Sequence, residues 1–177
     1  KKEAGKNEIF FSISSHGTQI SDKDGDEKDR IDESVCCSNL AEKGNDWNRD
    51  TIIVDDEFNK LFMAVDKSVT LRVWMDTCFS GTGLKLMPGS DRRSRFISNP
   101  RGVFTLPTKS IFTKIKECCK CTKKTNKILW ASCRADQSSA DAYIAGAYHG
   151  SFTYHYLQNA GFSTDAKILA ETRKDLK

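Results

Sequence analysis

Three short apolar runs, separated by longer polar stretches, form the strongest pattern of hydrophobic positions in the chain. They cover residues 8–14, 69–75 and 127–131. Each run is rich in β-branched or aromatic side chains, which is typical of strands that are buried in a sheet. The pattern therefore predicts three strands of one sheet.

Helical patterns lie between these runs and after the last of them. Within residues 55–68 the apolar positions recur at the spacing of one helical face, and Asp55 or Asp56 is the expected N-cap. That face consists of Phe58, Leu61, Phe62 and Val65. Further helical patterns cover residues 111–119, 151–160 and 164–176.

The alternation of strands and helices predicts an α/β fold. We expect right-handed βαβ units and a mostly parallel central sheet flanked by helices, in three αβα layers. The first strand is followed by His16, the second by Cys78 and the third by Cys133. Because open parallel sheets bind ligands at the carboxyl ends of their strands, these three side chains should meet at one edge of the sheet.

A cysteine that lies beside a histidine is suited to nucleophilic catalysis. The thiolate is a strong nucleophile, and an imidazole can accept the thiol proton or stabilise the charge. Gly17 follows His16, and Gly81 comes soon after Cys78, so backbone N–H groups can approach a bound carbonyl closely. A structural thiol and a loop histidine explain the same two residues, and both explanations stay open at this point.

Composition and charge narrow the class of protein. Hydrophobic residues make up 38% of the chain and charged residues 29%, as in an ordinary globular domain. The formal net charge of +4 does not indicate nucleic-acid binding, and no apolar run approaches the roughly 18 residues of a membrane span. The spacing of the cysteines suggests no disulfide framework, which favours a reducing, cytoplasmic setting. Seven acids in residues 22–33 predict an acidic surface loop.

Four motifs, in order along the chain, resemble those of the metacaspases, which are caspase-like cysteine peptidases. They read FFSISSHG from residue 10, IIVDDEF from residue 52, DTCFSGTG from residue 76 and ASCRADQSSADA from residue 131. The last motif favours metacaspases over animal caspases and paracaspases. The resemblance implies a caspase-like α/β fold and endopeptidase activity after arginine or lysine.

The resemblance also implies roles for particular residues. His16 corresponds to the catalytic histidine and Cys78 to the nucleophile, and the backbone N–H groups of Gly17 and Cys78 correspond to the oxyanion hole. Ser14 and Asp76 correspond to the specificity pocket, where a carboxylate would pair with a guanidinium through charge-assisted hydrogen bonds. The implied partners are protein or peptide substrates with basic residues, without nucleic acid or membrane.

Calcium activates many metacaspases, and the resemblance carries over part of their ligand set. The matching acids are Asp32, Asp55 and Asp56, but the fourth ligand position is Lys85, which supplies no oxygen and adds a positive charge. We therefore expect weak or no calcium dependence and no required cofactor. The family also places two strands and a helix before the histidine strand, so the resemblance implies a fold truncated at its N-terminus.

A single caspase-like peptidase domain is expected over the whole chain. Its large part would cover residues 1–83, a mobile linker and a helix residues 84–126, and its small part residues 127–177. Residues 84–110 contain all three prolines and many bases, and they are predicted to form an exposed loop beside the site. Self-cleavage in this loop is expected after Lys85, Arg92, Arg93 or Arg95, and the alternative is a solvated basic loop that is never cut.

Two other functions stay open. An inactive caspase-like module would bind peptides or partners without cutting them, which the intact His16 and Cys78 argue against and the missing strands argue for. Another Cys–His hydrolase on an α/β scaffold would account for the same two residues, but not for a pocket that selects basic side chains.

Overall fold

The computed structural model describes residues 7–23, 25, 30–79, 92–102, 127–133, 139–161 and 164–176. Their strands are β1 (Glu8–Ser14), β2 (Gly17–Ser21), β3 (Ile31–Cys36), β4 (Glu42–Lys43), β5 (Asp46–Trp47), β6 (Ile52–Val54), β7 (Thr70–Asp76), β8 (Arg92–Ser94), β9 (Lys127–Ala131), β10 (Ala140–Ile144) and β11 (Ala147–Gly150). Their helices are α1 (Asp55–Met63), α2 (Ser151–Asn159) and α3 (Asp165–Asp175).

The centre of the fold is a parallel sheet with the strand order β1-β7-β9. Its register places Ser14 opposite Asp76 and Met75 opposite Ala131, so the three strands end level with one another. The first and third predicted strands are confirmed at their predicted bounds, and the second lies one residue later than predicted. The segments that leave the carboxyl ends of these strands therefore start from one edge.

One face of this sheet packs against α1. The side chains of β7 alternate between the two faces, and Leu71, Val73 and Met75 are almost completely buried on the α1 side. Phe58 and Phe62 of α1 belong to the same cluster, with their ring centroids 5.9 Å apart. This cluster fixes the position of α1 along β7, relative to the carboxyl end of the strand.

The opposite face is covered by α2 and α3, which lie where the sequence predicts helices at 151–160 and 164–176. Trp74 of β7 stacks on Phe152 of α2 with ring centroids 4.4 Å apart, and Trp130 of β9 joins this cluster. Leu169 of α3 packs against it. Helices therefore lie on both faces of a parallel sheet, which confirms the predicted α/β fold class.

The start of α1 differs from the sequence prediction. Its N-cap is Val54 rather than Asp55 or Asp56, and no side-chain hydrogen bond caps it. Instead, the backbone N–H of Val54 donates to the Glu57 carboxylate at 3.0 Å. Because a carboxylate three residues into a helix can reach back to this donor, β6 can continue directly into α1 without a polar N-cap.

The buried face of α1 is narrower than the apolar pattern predicts. Phe58 and Phe62 are 3% and 2% exposed, but Leu61 is 56% exposed. Successive helical residues are turned by about 100°, so Leu61 lies well to one side of Phe62. The sheet covers only the strip through the two phenylalanines, and the predicted burial of Leu61 is wrong.

Antiparallel strands surround the central sheet. One small sheet has the order β2-β3-β6, a second has the order β11-β10-β8, and β4 pairs with β5. The end of the predicted acidic loop lies in β3. The predicted exposure of this part is wrong, because Asp32 and Glu33 are only 3% and 2% exposed. Their strand pairs with β2 on one side and β6 on the other, which encloses it.

The described part of the predicted linker is only partly exposed. Arg92–Ser94 forms β8 and pairs with β10, while Arg95 and Asn99 are 7% and 3% exposed. The rest of residues 84–110 and the predicted helix at 111–119 lie outside the described residues. Among the helices that the structure describes, none has the length and apolar character needed to cross a membrane.

Candidate active site

His16 and Cys78 follow neighbouring strands at the same edge of the central sheet. His16 lies two residues after the end of β1, and Cys78 lies two residues after the end of β7. Their segments touch at Gly17, where an added Cβ would collide with the carbonyl oxygen of Cys78. Only glycine permits such a close approach of two backbones, so Gly17 brings the histidine segment against the cysteine segment.

The Cys78 side chain is buried, and His16 is partly buried. Cys78 has no exposed surface, and Nδ1 of His16 is buried without a hydrogen-bond partner among the described residues. Most buried polar atoms in proteins have a partner, so an exception of this kind needs an explanation. An imidazole nitrogen that none of the described residues engages is suited to take up or release a proton at a bound substrate.

A second thiol lies beside Cys78. The Sγ of Cys133, which follows β9, is 3.5 Å from the carbonyl oxygen of Thr77. The hydrogen bond with Cys78 raises the pKa of Cys133, and burial and the charge of Cys78 raise it further. Cys133 therefore stays protonated at neutral pH and can donate to a Cys78 thiolate.

The side chain of Arg95 fills an acidic pocket at this edge. Its Nε donates to Asp141 Oδ1 at 2.8 Å, and its Nη1 donates to Ser14 Oγ at 2.7 Å and to the Asp76 carbonyl oxygen at 2.6 Å. Nη2 also lies 2.6 Å from Asp141 Oδ1, while Nη1 lies 3.8 Å from Asp76 Oδ1. Two carboxylates therefore face one guanidinium, and Asp141 makes the closer ion pair.

The Asp76 carboxylate is held by neutral donors as well as by the arginine. Its Oδ1 accepts from the Ser139 hydroxyl at 2.8 Å, and its Oδ2 accepts from the N–H and hydroxyl of Thr153 at 3.1 and 2.6 Å. Thr153 lies in the first turn of α2, where unpaired N–H groups and the helix dipole favour an anion. The orientation of this carboxylate therefore does not depend on the arginine alone.

The backbone around Arg95 runs through the site like a bound peptide. Upstream, β8 pairs antiparallel with β10, and the Arg95 N–H donates to the Ser139 carbonyl at 3.2 Å. The Arg95 carbonyl oxygen in turn accepts from the Gly17 N–H at 2.7 Å. A carbonyl that is about to be attacked needs a backbone donor of this kind. A segment of the chain itself thus occupies the site that its motifs predict.

Three pocket residues have no role assigned by sequence reasoning. Ser139 falls within the motif that begins at residue 131, which marks the segment without showing what each residue contacts, and Gly150 and Thr153 lie outside all four motifs. Asp141, by contrast, is one of the two aspartates, with Asp136, that the sequence offers as an alternative to Asp76, and it contacts the guanidinium together with Asp76. The signal that could have found Ser139 is the alternation along an extended chain, since residues two apart face the same side.

The predicted calcium ligands give no cation site within the described part of the chain. Asp32 Oδ2 accepts from Arg49 Nη2 at 3.0 Å, so an internal cation already pairs with this carboxylate. Asp55 is buried at the start of α1, and Asp56 beside it is partly exposed. No group of three His, Cys, Asp or Glu side chains in the described ranges is arranged to hold a metal ion, and Lys85 lies outside them.

Known proteins share these sequence features. Residues 1–87 match the family model described as metacaspase, peptidase C14 domain. Metacaspase-1 of Botryotinia fuckeliana is 28% identical in an alignment of 186 positions. The alignment covers 88% of this chain and 43% of that protein. Metacaspase-1A of Aspergillus niger is 26% identical, with 88% of this chain and 44% of that protein covered. The chain spans less than half the length of these curated relatives.

A solved structure shares the fold. The crystal structure of a protein from Geobacter sulfurreducens matches with a TM-score of 0.58 and 23% sequence identity. The match covers 94% of this chain and 61% of that chain. The likeness therefore extends over nearly all of the α/β architecture described above.

Gly150 keeps the acidic pocket open. An added Cβ would collide with Asp76 Oδ2 and would lie 2.7 Å from Arg95 Nη2. We expect Gly150→Ala to weaken guanidinium binding by at least about tenfold, because the methyl group must displace either the carboxylate or the ligand. The measurement is a calorimetric titration of agmatine, a free guanidinium ligand, into Arg95→Ala protein with and without Gly150→Ala.

Gly161→Ala is the matched control, because a Cβ on Gly161 meets no atom within 4 Å. In the Arg95→Ala background this variant should bind agmatine as tightly as its parent. Equal agmatine affinity in the Gly150→Ala protein would contradict the pocket geometry.

Proposed function

Because residues 1–87 match the metacaspase family model and curated metacaspases align with 88% of the chain, we propose that the chain is a caspase-like cysteine peptidase that cleaves peptide bonds after arginine or lysine through His16 and Cys78. The observation that carries this proposal is Arg95. Its guanidinium lies between Asp76 and Asp141, and its carbonyl oxygen accepts from the Gly17 N–H. The side chain of Arg95 thus fills the pocket while its carbonyl group lies at the candidate oxyanion donor.

The proposed reaction follows from these positions. His16 takes the proton of the Cys78 thiol, and the sulfur attacks the carbonyl carbon of the basic residue. The N–H groups of Gly17 and Cys78 stabilise the negative oxygen of the tetrahedral intermediate. His16 then gives its proton to the departing amine as the C–N bond breaks. His16 next takes a proton from a water molecule, whose oxygen attacks the thioester carbonyl carbon. The C–S bond then breaks, the sulfur regains its proton from His16, and the new carboxyl group is released.

The preference for basic residues rests on charge. Asp76 has no exposed surface, and a buried carboxylate is costly unless cations or hydrogen-bond donors surround it. A guanidinium supplies several planar donors at once, which suits the two carboxylates and the Ser14 hydroxyl. A lysine ammonium supplies the charge with fewer and differently directed bonds. We therefore propose that arginine is preferred over lysine.

The same geometry supports self-processing of the linker. The bond that follows the pocket-bound residue is Arg95–Phe96, and Arg92 and Arg93 lie on β8, where they pair with β10. Arg93 stacks on the ring of Tyr148, with 3.8 Å between its Cζ and the ring centroid. Among the described basic residues of the linker, Arg95 is therefore the proposed cleavage point.

A second candidate function is binding without cleavage. The observation that favours it is the occupied site, since Arg95 fills the pocket and Cys78 has no exposed surface. A segment that never leaves the site would give a stable module with no turnover. The cleavage experiment below separates the two functions.

We also propose protein or peptide partners with basic residues, no nucleic-acid or membrane partner, and a cytoplasmic location. The small net charge of +4 supports the absence of a nucleic-acid partner. The cysteine spacing supports the cytoplasmic location. Fractionation of cells that produce the tagged protein would test the location, and recovery in a membrane pellet would contradict it.

The self-cleavage prediction concerns Arg95 and its neighbour Arg93. Purified protein should give two fragments on a denaturing gel, and N-terminal sequencing of the downstream one should begin at Phe96. Cys78→Ala and His16→Ala should each slow this conversion by at least about a thousandfold, because the two side chains act as a unit. Hydrolysis of a fluorogenic peptide with arginine before the cleaved bond should fall in parallel.

Arg95→Ala should remove the cut at Phe96, whereas Arg93→Ala, the matched control on β8, should keep it. A fragment that begins elsewhere would contradict the assignment of Arg95. Two bands from Cys78→Ala protein would assign the cut to a contaminating protease, and no cleavage of either the chain or the peptide would favour the binding module.

We propose that activity requires no calcium. The Arg49–Asp32 ion pair and the lysine at position 85 support this proposal. Peptide hydrolysis should change little when a chelator replaces millimolar calcium, whereas Lys85→Asp should increase the response to calcium if the other acids can bind it. A calcium-dependent rise of more than about tenfold in the unaltered protein would contradict the proposal.

A further inference from the structure

The segment downstream of Arg95 stays bound to the protein instead of leaving the site. The Ile97 N–H donates to the Gly17 carbonyl at 2.9 Å, and the Thr18 hydroxyl donates to the Ile97 carbonyl at 2.7 Å. Phe96 forms a parallel bridge with Gly17. The chain on the far side of the Arg95–Phe96 bond is therefore fixed along β2 by backbone contacts and by the Thr18 hydroxyl.

These contacts continue to Asn99, which is 3% exposed. Its Nδ2 donates to the Gln19 carbonyl at 2.7 Å and to Asp46 Oδ1 at 2.6 Å. Burial of the Asp46 carboxyl opposes its ionisation, but hydrogen bonds from Asn99, Ser21 and Trp47 hold its pKa below the usual value. The amide of Asn99 therefore meets a carboxylate that stays charged at neutral pH, and such hydrogen bonds are the stronger kind.

Asn99 also closes the turn that follows it. The Gly102 N–H donates to the Asn99 carbonyl at 2.8 Å, and the Arg101 N–H donates to Asn99 Oδ1 at 2.9 Å. Arg101 reaches the β4–β5 hairpin through a 3.1 Å bond from its Nε to the Asn45 carbonyl. One side chain thus joins its own turn, β2 and the hairpin.

We propose that Asn99, bound to Asp46 and Gln19, is an anchor that holds Arg95 in the acidic pocket and so favours cleavage of the chain itself over cleavage of other substrates. This inference rests on the proposed peptidase function. A segment tethered at β8 on one side and at Asn99 on the other has a high effective concentration at the site. A free peptide must compete with it and reacts only in the fraction of molecules whose pocket has opened.

The two sides of the bond differ in how they are held. Upstream, Arg95 is held by its side chain and by a short three-residue strand. Downstream, the chain is held by bonds at Ile97, Asn99 and Arg101. After the cut the downstream end should therefore remain on β2, while the arginine on the upstream side can leave the pocket.

The test compares Asn99→Ala with Asn45→Ala, a matched control in which the carbonyl used by Arg101 is kept. Asn99→Ala should slow the appearance of the Phe96 N-terminus by about tenfold or more, because the bond is no longer presented to Cys78. The initial rate on an arginyl fluorogenic peptide, measured before self-cleavage accumulates, should rise about threefold or more as the pocket empties. Asn45→Ala should change neither rate.

A second measurement needs no turnover. In Cys78→Ala protein, hydrogen exchange at the Ile97 amide should accelerate by about tenfold or more when Asn99→Ala is added, and should not change with Asn45→Ala. Asn99→Asp should accelerate it as well, because it places a second carboxylate against Asp46. Melting temperatures of all variants show whether each protein is folded.

The outcomes separate the anchor from the peptidase. An unchanged hydrogen-exchange rate at Ile97 in the Asn99→Ala protein overturns the anchor. An unchanged rate of self-cleavage overturns it as well, if the protein is active and exchange at Ile97 has become faster. Exchange at Ile97 becomes faster with Asn99→Ala, while proteins that keep Cys78 cleave neither themselves nor the peptide: this outcome supports the anchor and overturns the proposed function. Slower self-cleavage together with faster peptide hydrolysis supports both.

Discussion

The buried negative charge of Asp76 is the constraint on which the rest of the site depends. A carboxylate without solvent contact is tolerated only where donors or cations surround it, and removing one partner of a buried ion pair typically costs about 3–5 kcal/mol. Here the first turn of α2, the Ser139 hydroxyl and the Arg95 guanidinium meet this need together. The carboxylate therefore links the first turn of α2 and the Arg95 guanidinium to the end of β7.

The packing of the core makes this arrangement possible. β7 ends in Asp76, and its Trp74 stacks on Phe152 of α2, so the start of α2 is held above the end of the strand. Gly150 precedes α2 and leaves the space that the guanidinium occupies. At the neighbouring strand end, Gly17 lets its backbone lie against Cys78. Two glycines and one aromatic stack thus position the pocket beside the thiol.

The central sheet is the part of the fold that the sequence predicts best. The bounds of β1 and β9 follow from short, dense apolar runs, and parallel topology alone places His16 and Cys78 at one edge. Sequence reasoning places the linker beside the site but misses the burial of Arg95, because prolines and bases indicate an exposed loop. Its side chain is buried by contacts with Ser14, Asp76 and Asp141, which come from distant parts of the chain. Local composition cannot report contacts that form only when distant segments meet.

A crystal structure of the uncleaved Cys78→Ala protein tests the central claim most directly. The claim is that the chain presents Arg95 to its own site as a substrate does. It predicts an Arg95 guanidinium within hydrogen-bond distance of Ser14 and Asp141, with the Arg95 carbonyl oxygen on the Gly17 N–H. An open pocket, with Arg95 in solvent and the downstream segment away from β2, would contradict the account.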